Sequence, residues 1–187
     1  SDAWEGGHRV PLIARWNNRI EPGSVSDELI SLADLMATFG ALTSYDIPVN
    51  EGEDSYNMLP LLLGENTGPV RKSMVTQSGN GILSYHKGKW KLIMSSGSGG
   101  SWSKPEGELA VKVKNEEDLE WENVQLYNLE TDLTEQVNVA KMYPEITSEL
   151  IQELTYIIRN GRSTGGENLE NDGSEVWRQV EWMRGRE

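Results

Sequence analysis

The chain has 187 residues, room for one domain or for one domain and part of another, and its hydrophobic fraction of 36% is that of a folding rather than a disordered chain. A formal charge of -13 excludes a nucleic-acid binder, which needs a basic stripe, and gives no attraction to anionic lipid. There is no cysteine, hence no disulfide, and no apolar run long enough for a transmembrane helix or a signal peptide.

In chain order, the densest run of chemically particular residues is Trp4-Glu5-Gly6-Gly7-His8-Arg9-Val10-Pro11. Adjacent glycines predict a tight turn that permits close approach. Glu5 and Arg9 read as an opposite-charge pair that locks it. Pro11 pushes the chain into an extended run, and Val10 to Trp16 reads as a strand buried on both faces. Glu28 to Ile30 is a candidate short strand. Ser31 is a candidate N-cap with Asp34 as its capping-box partner. Leu32, Leu35, Met36, Phe39 and Leu42 follow as the apolar stripe of a helix. Tyr56 to Leu63 is apolar, and Pro60 argues against a regular central strand there. Strand, helix and apolar segment all need partners; alone, this region exposes a large apolar surface.

Residues 70 to 94 predict a β-hairpin or meander: Ser73 to Thr76, Ile82 to Tyr85, and Trp90 to Met94. Gly88 is the expected positive-φ residue of the second turn, and His86 an exposed turn residue. Residues 95 to 123 are Gly/Ser-rich and then charged, the pattern of a solvated loop. Trp102 and Trp121 also suit a sugar-contacting lid. Val124 to Leu129 predicts the next strand. Pro144 opens a helix with Ile146, Leu150, Leu154, Ile157 and Ile158 as its stripe, and Asn160-Gly161 stops it. Val176, Trp177, Val180 and Met183 give a weak final helix. The residues themselves show no metal-ligand cluster, no phosphate loop and no distinguishable Ser/His/Asp order.

Five segments together resemble one family. Glu5-Gly6-Gly7-His8-Arg9-Val10-Pro11 is similar to a signature of the type I, formylglycine-dependent sulfatases of the alkaline phosphatase superfamily. Ser31 to Thr38 resembles their S-L-x-D-L-x-x-T helix. Ser55 to Gly64 resembles their S-x-x-L-P-L-L-x-G segment. His86 to Ile93 resembles their R-x-G-x-W-K-L-I hairpin, and Gln125 to Asp132 their E-L-Y-D-L-x-x-D strand and turn. The family's Cys/Ser-x-Pro-x-Arg nucleophile motif has no counterpart. Ser103-Lys104-Pro105 has Gly107 in place of the arginine. The family's calcium ligands, and the lysine that contacts sulfate about five residues before the Glu-Gly-Gly turn, also lack counterparts.

The resemblance implies the C-terminal portion of an arylsulfatase-like enzyme. The fold expected is α+β: trailing α/β elements of the main domain over 1–69, a small antiparallel sheet of about four strands packed on a helix over 70–161, and a tail over 162–187. The implied activity is hydrolysis of sulfate esters of a carbohydrate or aryl alcohol. In the full-length protein, formylglycine and Ca2+ are the implied cofactors; none is expected to bind this portion, which has no catalytic or metal residue of its own. His8 is the first candidate for substrate binding, with Gln77, Ser78 and Asn80 second. A periplasmic or secreted full-length form is implied, with no nucleic-acid partner. Two alternatives stay open: a phosphonate or phosphate ester hydrolase of the same superfamily, and a non-catalytic carbohydrate-binding module.

Overall fold

The structure, a computed structural model, describes residues 2–65, 68–100, 121–173 and 177–183. In chain order its elements are helices α1 (Glu5–His8), α2 (Leu35–Thr43) and α3 (Leu59–Leu62), strands β1 (Ser73–Gln77), β2 (Leu83–Lys87), β3 (Trp90–Ile93) and β4 (Gln125–Asn128), and helix α4 (Pro144–Asn160). Short 3-10 turns occupy Leu32–Asp34, Trp121–Asn123, Ala140–Met142 and Arg178–Met183. The chain divides into two compact units, one of residues 1–9, 75–156 and 171–187, the other of residues 10–74 and 157–170.

The first unit is α+β. Its sheet has the order β1-β2-β3-β4, the arrangement of a meander. Gly88, at φ 56, supplies the left-handed residue of the two-residue turn between β2 and β3. That turn sets Lys87 opposite Trp90 and His86 opposite Lys91; Lys91 in turn faces Tyr127 of β4. Because side chains alternate along a strand, Ser84, His86, Lys91, Ile93, Gln125 and Tyr127 share one face. Tyr85, Lys87, Trp90, Leu92 and Leu126 share the other. Both faces are covered. On the second, Tyr85 Oη donates to Glu153 of α4 at 3.0 Å, and Lys87 pairs with Glu149 and Glu153. On the first, Ala3 packs with Ile82, Ile93 and Tyr127.

Helix α4 starts at Pro144 as expected and is followed by Gly161 at φ 65. Of its expected stripe Leu150 and Leu154 are buried and Ile146, Ile157 and Ile158 partly so; Ile151, outside that stripe, is fully buried. Residues 95–100, expected to be part of a solvated loop, are a correction: Ser95, Ser98, Gly99 and Gly100 are buried. Their carbonyls accept hydrogen bonds from Gln125, Ala3 and Asn80, which replaces the water a loop would need. The lid expectation at Trp102 falls outside the described residues. His86 is likewise not a turn residue; it lies within β2 and is half-buried.

In the second unit the capping box forms as read: Ser31 Oγ accepts from Ala33 N, and Asp34 Oδ2 accepts from Ser31 N at 2.7 Å. Asp34 is fully buried, and its Oδ1 also accepts from Tyr56 N and from Arg71 Nη2. The buried side of α2 is therefore polar, with Thr38 bonded to Asp34 O and to Met58 N. Its apolar stripe faces outward, with Leu32, Met36, Phe39 and Leu42 exposed. Val10 to Trp16 is not a buried strand. It is largely exposed, Ile13 to 90%, and forms no ladder with the described residues. A strand exists only through its neighbour's hydrogen bonds. Glu28 to Ile30 forms no strand for the same reason.

Candidate functional site

The Trp4 to Arg9 segment is one helical turn rather than a Gly-Gly reverse turn. Arg9 N donates to Glu5 O at 2.9 Å, and neither Gly6 nor Gly7 has positive φ. Gly7 is needed for space: a Cβ there would lie 2.3 to 2.7 Å from backbone atoms of Asp2. Helical spacing puts Glu5, His8 and Arg9 on one face, at i, i+3 and i+4. Glu5 accordingly meets both, with His8 Nε2 at 3.3 Å and Arg9 Nη1 at 3.8 Å. The pairing of Glu5 with Arg9 expected from the sequence exists at that longer distance.

The shorter pairing is with a residue the sequence reading did not single out. Lys91, in the middle of β3, is fully buried. Its Nζ lies 2.8 Å from Glu5 Oε1 and 2.9 Å from Glu135 Oε1, and 3.5 Å from His8 Nε2. Glu135 also accepts from the Glu5 backbone N–H. It holds a left-handed conformation, φ 55, that a side chain other than glycine rarely adopts. Alongside, Trp4 Nε1 and Tyr127 Oη both donate to Gln125 Oε1, at 3.0 and 2.6 Å. The helical turn is thus fastened to the sheet by one lysine, two carboxylates and one amide.

The charges respond to this arrangement. Burial alone would raise the Glu5 pKa; hydrogen bonds from His8 and Lys91 outweigh it and bring it from 4.5 to about 2. Burial, and then the Glu135 charge, push the Tyr127 phenol up to about 12. Burial depresses His86, against the raising effect of its contact with Gly88 O. His8 Nε2 faces both an acceptor, Glu5 Oε1, and a donor, the Lys91 ammonium. The other ring nitrogen, Nδ1, is buried with no hydrogen-bond partner among the described residues.

Of the other predicted residues, Gln77 ends β1 and is exposed. Ser78 is buried, its Oγ accepting from Ile82 N at 3.1 Å. Asn80 donates from Nδ2 to Gly100 O at 3.1 Å and from its backbone to Gly99 O at 3.0 Å. Ser78 and Asn80 lie in the loop that follows Gln77 at the end of β1, while His8 belongs to the Lys91 cluster. Among the described residues no group of three or more His, Cys, Asp or Glu is placed to hold a metal ion.

No family model matches the chain. An arylsulfatase of Hemicentrotus pulcherrimus is 31% identical to it over 91 residues, 49% of this chain and 16% of that protein. A solved structure from Bacteroides thetaiotaomicron, described under the metabolism of multiple glycosaminoglycans, superposes with a TM-score of 0.66 at 31% identity, over 83% of this chain and 30% of that one. By sequence and by fold the chain belongs to the sulfatases. Among them, an N-acetylgalactosamine-6-O-sulfatase of Bacteroides thetaiotaomicron is 34% identical over 152 residues, 81% of this chain. The chain spans only 28% of that relative's length.

Proposed function

We propose that this chain is the C-terminal part of a secreted or periplasmic enzyme that hydrolyses sulfate esters of a carbohydrate, and that α1 presents His8 to the substrate. The observation that carries the reading is the Lys91 cluster. It holds the His8 ring at a fixed place, Nε2 between Glu5 and Lys91 and the side chain 20% exposed. The exposed part of a ring so held can lie against a sulfate or sugar oxygen and, when protonated, add positive charge beside it. Gln77, Ser78 and Asn80 line the same pocket in this reading; Gln77 is the exposed one, while Ser78 and Asn80 shape the loop that follows it. The name of the N-acetylgalactosamine-6-O-sulfatase relative supports an amino-sugar sulfate as substrate.

The resemblance assigns sulfur attack to a hydrated formylglycine, with Ca2+ stabilising charged oxygens when bound. The described residues do not fit either group: they include no Cys/Ser-x-Pro-x-Arg motif and no metal cluster. Both sites are assigned to another part of the full-length protein. This chain's residues bind and orient. The test is His8→Ala in the full-length protein, assayed on a 6-O-sulfated N-acetylgalactosamine. A fall in kcat/KM of about 10-fold with the melting temperature little moved is expected, the loss of a hydrogen bond that involves charge. A destabilised enzyme with unchanged kcat/KM removes His8 from the site, and preferential turnover of the matching phosphate ester removes the sulfatase reading.

A further inference from the structure

The sequence assigns no role to residues 162–187, yet the end of this tail is a built element. Arg178–Met183 forms 3-10 turns in which Val180 and Trp182 are fully buried and Met183 nearly so. From that anchor the Gln179 amide donates to Asn80 O at 3.0 Å. The same side chain lies over Gly81, where φ is +83 and a Cβ would come within 3.0 Å of Nε2. Glycine is required there on both counts.

Asn80 is the next link. Its backbone N–H and side-chain amide reach Gly99 O and Gly100 O. Residues 98–100 then receive the N-terminal arm: Ala3 N donates to Ser98 O at 2.8 Å, and Ser98 Oγ to Asp2 Oδ1 at 2.9 Å. Asp2 is the backbone against which Gly7 of α1 packs. An unbroken series of hydrogen bonds and one glycine contact therefore runs from the tail to the turn that bears His8.

We infer that the tail segment Arg178–Met183 is a positioning element for α1, with Gln179 acting through Asn80 and the Ser98–Gly100 backbone on the arm that carries His8. Its catalytic meaning rests on the proposed placement of His8 at the substrate; its mechanical meaning does not. Trp182 supplies the fixed point, since its full burial makes undocking of the tail costly. Gln179 supplies the transmission, because its donor bond ties the Asn80 carbonyl to that fixed point. A displacement passed along this series reaches a group whose placement to within an ångström matters for rate.

The test is Gln179→Met in the full-length protein, which keeps the side chain over Gly81 and deletes the donor. Hydrogen exchange of the Gly81, Ala3, Gly7 and Arg9 amides should quicken by about fivefold or more, the factor one net hydrogen bond is worth. kcat/KM on the sulfated amino sugar should fall about threefold or more with the melting temperature unchanged. Faster exchange confined to residues 177–183, with Ala3, Gly7 and Arg9 unaltered, overturns the inference. His8→Ala measured beside it separates the two readings. If that variant keeps full kcat/KM, the proposed site fails, while exchange at Ala3 and Gly7 still decides what the tail does.

Discussion

Replacing Lys91 by methionine keeps much of the side-chain volume and removes its charge. Glu5 and Glu135, with side chains only 13% and 3% exposed, then share a buried space with no cation between them. At an effective dielectric of about 20, each Nζ–carboxylate contact of 2.8 or 2.9 Å is worth ~6 kcal/mol of Coulomb energy. Much of this offsets the desolvation of three buried ions, at several kcal/mol each, so the intact cluster contributes little net stability. The variant retains the desolvation of the carboxylates and loses the attraction. Removal of one partner from a buried pair costs ~3–5 kcal/mol, and with two carboxylates depending on one ammonium the upper end applies. Glu5 gives an independent figure. Its carboxyl sits at about 2 against an ordinary 4.5. At ~1.36 kcal/mol per unit, discounted for solvent at the open edge of the turn, Glu5 alone accounts for about 2 kcal/mol. The assay is native-state hydrogen exchange at the Leu92 amide in the middle of the sheet, which reads its opening free energy. A loss below ~1 kcal/mol would show that the cluster does not hold the sheet, since that is the average cost of an ordinary substitution. Adding Glu5→Gln and Glu135→Gln to the variant should restore a large part of the loss, because no buried charge then lacks a partner.

Three further outcomes are expected. Glu5 is depressed in the folded state, so its stabilising contribution is present above pH 4.5 and is lost as pH falls from 4.5 through about 2; Glu5→Gln should flatten the acid-unfolding curve in that window, and superimposable curves would count against it. Leu154→Ala removes a fully buried side chain of α4 and should cost ~2–5 kcal/mol in denaturant titration, whereas a cost under half of the lower figure would place Leu154 outside the core. Gly7→Ala puts a methyl group onto the Asp2 backbone, so the arm must move; exchange at Ala3 should quicken and stability drop by ~1–3 kcal/mol, and an unchanged Ala3 amide would refute the close approach.

What could be read in advance was local. The capping box at Ser31 and Asp34, the left-handed Gly88 and the stop at Gly161 each depend on residues within one turn of themselves. So does the start of α4 at Pro144, and the four strands showed in their apolar and β-branched composition although their ladders are not local. Lys91 could not be read so. It sits in Trp90-Lys91-Leu92-Ile93, where a lysine suggests the solvent side of an edge, and one of its partners lies 86 residues away at Glu5. The available signal was Ile93, apolar and on Lys91's own face by alternation while Leu92 is apolar on the other, which marks a strand covered on two faces. Val10 to Trp16 failed in the opposite way: its composition suits burial, but burial is a property of what lies across from a strand. Trp182 was missed because a weak stripe in a charged tail carries no periodic evidence, although a single large side chain can anchor a segment.

The two-residue turn at Gly88-Lys89 has a consequence for insertions. It sets Lys87 against Trp90, and so decides which side of the sheet each later residue of β3 occupies. One residue added there would shift β3 by a single place and exchange its faces. Trp90 and Leu92 would turn toward the arm, and Lys91 toward α4. Glu5 and Glu135 would lose their cation although no residue near them had changed. Hairpin length therefore acts as a phase setting for the whole unit: a single inserted codon at the tip should detach α1 from the sheet, while many substitutions at the same two positions leave it fastened.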